Sequence, residues 1–190
     1  SSHDRVRAAF LRQADAGASL GSPLMARLMS GLAKALVPGD PVADTVLGWA
    51  GDPSSMGDAV PLRLVGGLHA LVLTGMDPQL AAAYADPDSD PTDAALSAIR
   101  HHPDVLLSWL QSPPQTNEVR RSAVLIAAAH WLTARYGLPL VLSELGASAG
   151  LNLLWDHYAL RIGDQTFGPA DPALTPVSYT HLTLPTTPYV

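Results

Sequence analysis

Apolar residues recur at three- and four-residue spacing from the first turn of the chain onward. Val6, Ala9, Phe10 and Gln13 mark one face of an amphipathic helix over residues 3–16, closing near Gly17. Ser22 as N-cap with Pro23 in the first helical position opens a second helix, striped by Leu24, Leu28, Leu32, Ala35 and Leu36 and ending before Pro38. Asp40 and Pro41 open a short helix through Trp49. Asp58 and Pro61 open a longer apolar one to about Leu73, interrupted at Gly66 and Gly67. Glycines there permit close helix packing at a cost of about 1 kcal/mol each relative to alanine. Asp77 and Pro78 start an Ala-rich helix, residues 84–91 (YADPDSDP) form a polar connection, and helices follow near residues 92–101 and 103–110. No run before residue 137 alternates apolar and polar positions with β-branched enrichment, so residues 1–115 are predicted to form an all-helical domain.

Beyond residue 115 the pattern changes. After the linker-like residues 112–116 (SPPQT), Asn117 is a suitable N-cap for a helix reaching Tyr136 and stopped by Gly137. That helix is apolar almost all round from Ala123 to Leu132, which predicts burial on every side. Residues 139–145 (PLVLSEL) read as a short buried strand, ending at the small-residue turn Gly146, Ala147, Ser148, Ala149, Gly150 and followed by a helix over about residues 149–157. Residues 158–162 and 165–167 then read as a hairpin joined by Gly163 and Asp164.

Composition limits what such a chain does. Of 190 residues, 47% are hydrophobic and 15% charged, which excludes disorder as a reading of the whole. Eleven basic against seventeen acidic residues give a formal charge of −6, which disfavours nucleic acid and anionic membrane and favours a small neutral or cationic ligand. The absence of cysteine removes disulfides, thiolate metal sites and a cysteine nucleophile, and no His or His-Glu spacing of a metal site occurs. No apolar run approaches the ~20 residues of a membrane span and no signal peptide is visible, which predicts a cytoplasmic protein. The first residues, lacking an initiator Met, are expected to be absent here. Residues 177–186 (VSYTHLTLPT) resemble the translation of a transposase sequencing adapter, and threonine occurs four times in residues 177–190 against seven in the preceding 176. The expectation is that residues 177–190 are foreign, that the native frame continues past Pro176, and that the chain as it stands is inactive.

The chemistry concentrates in LVLSELGASAGLN, residues 140–152. A strand that ends in a glycine-rich turn and opens a helix aims backbone N–H groups and a positive helix end at one point, as a nucleotide-type ligand requires. The segment resembles the first motif of class I S-adenosylmethionine-dependent methyltransferases. Glu144 stands at the acidic position, Gly146 and Gly150 at the outer glycines, and Ser148 in place of the middle one. The resemblance implies a mainly α N-terminal region followed by the start of an α/β Rossmann-like, methyltransferase-like domain over residues 116–176, truncated. It implies S-adenosylmethionine as cofactor, held by Glu144, Gly146, Ala147, Ser148, Gly150 and Asn152, with Asp164 as the remaining acidic candidate for the ribose hydroxyls. The same residues fit G-x-S-x-G, the nucleophile elbow of α/β-hydrolases, with Ser148 as nucleophile and His157 as the histidine that follows it. A tight turn without ligand, inside a non-catalytic helical interaction module, is the third reading.

Three longer stretches, DAVPLRLVGGLHALVL (58–73), PPQTNEVRRSAVL (113–125) and LPLVLSELGASAGLNLLWDHY (138–158), resemble the uncharacterised bacterial family called domain of unknown function 2332 over residues 22–176, with Arg120 where that pattern has glycine. Gln115, Asn117 and Glu118 are candidates to line the same cleft, or simply to cap the helix behind them. His69 and His130 read as hydrogen-bonded core histidines, His101 and His102 as partners of a helix C-terminus, and Trp49, Trp109, Trp131 and Trp155 as packing anchors.

Overall fold

Proline and aspartate set most helix starts in the first half of the chain. The computed structural model describes residues 1–114 and 119–179, and the chain divides into two units, Ser1–Pro114 and Gln115–Val190. The first unit holds α1 (Ser2–Ser19), α2 (Pro23–Ala35), α3 (Pro41–Leu47), α4 (Val60–Leu73), α5 (Pro78–Ala85), α6 (Thr92–His101) and α7 (Pro103–Leu110), matching the predicted order. Asp40 and Asp77 cap α3 and α5, accepting from the backbone N–H of Ala43 at 2.8 Å and of Leu80 at 2.9 Å. Ser22 occupies the N-cap of α2 without a capping bond from its side chain.

The fourth helix starts differently from expectation. Its N-cap is Ala59, in the left-handed region at φ 51°, while the Asp58 carboxylate accepts from Trp49 Nε1 at 2.8 Å. The helix also runs unbroken through Gly66 and Gly67, because the glycines serve packing: a Cβ on Gly67 would lie 2.8 Å from Leu106 Cδ2 and 3.1 Å from Trp109 Cβ on α7. Phe10, Leu28, Leu32, Leu64, Leu68 and Leu106 are among the fully buried side chains of the core. Arg63 is buried beside them, donating from Nε to Asp58 O at 2.6 Å and from Nη1 to Leu110 O at 2.9 Å, with its guanidinium 5.4 Å above the Trp49 ring. Carbonyl acceptors and an aromatic face thus compensate a charge that burial would otherwise penalise.

In the second unit a 3-10 turn (Val119–Arg121) leads into α8 (Ser122–Tyr136), stopped by Gly137 at φ 64°. Gln115, Asn117 and Glu118 lie outside the described residues, as do residues 180–190. Burial of α8 on all sides is not found. Ala123, Ile126 and Ala129 are buried on one face, and Val124, Leu125 and Trp131 are exposed, so Trp131 anchors nothing in this unit. Nor do residues 139–145 form the predicted strand; Val141 is 96% and Leu145 99% exposed. A strand needs a neighbour for its N–H and C=O groups, and this unit builds its sheet from later residues. The predicted helix after the glycine turn is a 3-10 helix (Leu151–His157) with Leu154 off helical geometry.

The hairpin forms as read, with β1 (Tyr158–Ile162) antiparallel to β2 (Gln165–Phe167), Ile162 facing Gln165 and Leu160 facing Phe167. Gly163 supplies the positive φ of 59° at the first turn position, the type II′ pattern. A strand not predicted, β3 (Leu174–Tyr179), lies parallel to β1 on its other side, giving the order β2-β1-β3. It runs across residue 177, where the foreign segment was expected to begin. Between β2 and β3 the chain passes Gly168, whose φ is 126° and where a Cβ would come within 2.6 Å of Tyr158 O and 3.1 Å of Ala159 Cα. The architecture is mainly helical with a small sheet, and the strand expected to begin a Rossmann-like domain is not among its described elements.

Candidate functional site

Three residues with positive φ alternate along the turn between residues 144 and 152: Gly146 at 68°, Ser148 at 53° and Gly150 at 71°. Glycine adopts this region freely, whereas at Ser148 it costs about 1–2 kcal/mol. Gly150 N–H donates to Ala147 O at 2.7 Å and Leu153 N–H to Gly150 O at 3.0 Å, closing the turn onto the 3-10 helix. Among the described residues nothing lies within 4 Å of where a Cβ would stand on Gly146 or Gly150.

Glu144 precedes this turn and Asn152 follows it, and the fold brings them together. Asn152, 6% exposed, donates from Nδ2 to Glu144 Oε1 at 3.4 Å. Glu144 Oε2 is shielded from solvent and accepts no hydrogen bond among the described residues. The 3-10 helix is held from beneath by Tyr158, whose hydroxyl donates to Leu151 O at 2.6 Å. The sequence named Glu144, Gly146, Ala147, Ser148, Gly150 and Asn152 as one site, and these residues do form one contiguous turn. Asp164 instead occupies the β1–β2 turn, because two residues between antiparallel strands leave no room for a strand end behind a helix.

The histidines stand elsewhere than a core reading places them. His69 is exposed and stacks on Tyr84, with ring centroids 6.1 Å apart. His102 caps no α6 carbonyl with its ring; its Nε2 lies 3.2 Å from Asp77 Oδ2, tying the α6–α7 junction to the start of α5. His157 Nε2 is 4.0 Å from Asp156 Oδ2. His130 is exposed on α8, its ring 6.4 Å from that of Trp155 at an interplanar angle of 83° and 6.4 Å from Phe167.

A cleft not foreseen from sequence surrounds Trp155 and Asp156. On one side, about 380 Å³ of space is lined by Thr133, Gly137, Leu138, Pro139 and Leu140. On the other, about 370 Å³ is lined by His130, Thr133, Tyr158, Gly168 and Pro169. Only the aromatic pair His130 and Trp155 signalled it, and their separation in sequence hides their contact. Among the described residues no helix is long and apolar enough to cross a membrane, and no three His, Asp or Glu side chains gather as a metal site.

A family model described as an uncharacterized protein conserved in bacteria (DUF2332) matches residues 7–188, wider at both ends than the span read from motifs and extending into residues 177–188. No curated protein and no solved structure matches the chain.

Proposed function

Because the chain belongs to this bacterial family of uncharacterized proteins, its chemistry is read from its own residues, and we propose that the turn from Glu144 to Asn152 binds S-adenosylmethionine or a similar nucleotide-type small molecule in a methyltransferase-like, cytoplasmic protein. The observation that carries this reading is Glu144 Oε2, shielded from solvent with no donor among the described residues. An unsatisfied buried acceptor costs about 1–3 kcal/mol, and such groups in native proteins commonly await a partner. An ammonium or hydroxyl donor on a ligand would supply it. The open backbone at Gly146 and Gly150 supports close ligand approach, and the net charge of −6 suits a cationic cofactor better than an anionic one. When bound, the cofactor would supply an electrophilic methyl group; Glu144 would hold a cofactor donor and Asn152 would fix the carboxylate.

Isothermal calorimetry of the 190-residue chain with S-adenosylmethionine tests the reading. Saturable binding is expected, weakened about tenfold or more by Glu144→Gln, which removes the charge of a buried acceptor. Gly146→Val, at a φ where valine is strained, should abolish it. Absence of binding, or equal affinity in Glu144→Gln with an unchanged circular dichroism spectrum, overturns the proposal.

One observation favours a second reading: Ser148 has positive φ at the centre of the turn, as a nucleophile elbow demands. A serine hydrolase would label with a fluorophosphonate at Ser148 and lose the label in Ser148→Ala. A non-catalytic interaction module would neither bind the cofactor nor label.

A further inference from the structure

The two clefts beside Trp155 share Thr133, Trp155 and Asp156 in their linings and so adjoin as two lobes of a groove. Each lobe, at about 380 and 370 Å³, has the volume of a small-molecule site. The lining is mostly aromatic and apolar, with Trp155, His130, Leu138, Leu140 and Pro169, and among the described residues carries no lysine or arginine. Asp156 supplies the only carboxylate among the described lining residues. That group is exposed, and its Oδ2 lies 4.0 Å from His157 Nε2, beyond a hydrogen bond.

We propose that this groove binds a small organic cation, an onium head on an apolar stem, with the head between the Trp155 ring and the Asp156 carboxylate. The chemistry follows from charge and shape. An anion would meet Asp156 with no lysine or arginine in the lining to offset it. A neutral apolar ligand would strip water from the carboxylate without replacing it. An alkylated ammonium is attracted by the indole quadrupole, is neutralised by the carboxylate, and places its stem against leucine and proline. His130, edge-on to Trp155 and flanked by Phe167, extends the aromatic wall. This site shares no residue with the turn from Glu144 to Asn152, and its occupation does not depend on that reading.

The test is a nuclear magnetic resonance titration of the full chain with choline and with tetramethylammonium chloride at constant ionic strength, and in parallel with 3,3-dimethylbutan-1-ol, the neutral isostere of choline. Saturable shifts of the Trp155 indole and His130 ring signals are expected with both cations and not with the alcohol. Asp156→Asn should weaken binding about three- to fivefold, the strength of an exposed charge pair, and Trp155→Leu by about tenfold. Trp155 also packs on the small core of this unit, so exposed Asp156 is the variant that decides if Trp155→Leu fails to fold. Glu144→Gln should leave the titration unchanged. Shifts that do not saturate, equal binding of the alcohol, or unchanged affinity in Asp156→Asn overturn the proposal.

Discussion

A methyl group added at Gly67 would sit 2.8 Å from Leu106 Cδ2, whereas one added at Gly66 meets only Trp109 ring carbons at 3.6 Å. The first is a clash in a packed helix contact and the second an ordinary van der Waals distance. Gly67→Ala is therefore expected to destabilise by about 1–3 kcal/mol. Gly66→Ala should stabilise by up to about 1 kcal/mol through helix propensity. Urea denaturation of the two variants checks the opposite signs. Tyr84 offers a pH-dependent counterpart, since its hydroxyl is buried without a partner and burial pushes the phenol up to about 12 from 10.0. A phenol that keeps its proton to higher pH in the folded chain than in the unfolded one contributes stability that is whole below pH 10 and is lost as pH rises from 10 towards 12. Tyr84→Phe should remove that alkaline loss and, by deleting an unsatisfied hydroxyl, stabilise by about 1 kcal/mol at neutral pH. Thermal melts of both proteins between pH 7 and 11.5 would show it, and parallel alkaline slopes would refute it.

The elements fixed by neighbours in sequence were legible, and those fixed by distant partners were not. Asp-Pro and His-Pro starts delimited α3, α5 and α7, and the Gly163 and Asp164 turn set the register of β1 and β2 with two residues. Residues 139–145 have the composition of a buried strand, yet pairing is a property of whatever lies alongside, and among the described residues nothing does. Val141→Lys and Leu145→Lys are accordingly expected to change stability by less than about 0.5 kcal/mol, as at ordinary surface positions. A loss of 2 kcal/mol or more in chemical denaturation would mean that the segment is buried in solution. The strand β3 carried no alternating pattern of its own, and its parallel pairing with β1 is nonlocal, so no sequence window announced it. At the candidate site the reverse held: the turn and its flanking Glu144 and Asn152 lie within nine residues, and local spacing sufficed to group them. The groove at Trp155 draws on α8, the 3-10 helix and the chain after β2, and was invisible for that reason.

At the scale of the whole molecule the two units differ in how much they bury. The first carries an apolar core spread over α1 to α7, whereas the second gathers Ala123, Ile126, Tyr158 and Leu160 with Val119 and Trp155 against them. Residues 1–114 expressed alone should therefore fold, with a helical circular dichroism spectrum and a cooperative melt. A broad, non-cooperative transition would show that this unit needs the rest of the chain. In the second unit the end of the hairpin is set by Gly168. A two-residue turn lets β1 and β2 close within microseconds, and the register that pairs Leu160 with Phe167 brings Gly168 against Tyr158 and Ala159 so closely that a single methyl group does not fit. A bulkier residue at position 168, strained at φ 126° and pressed on the Tyr158 carbonyl, would pry open the far end of the hairpin just where the chain leaves for β3.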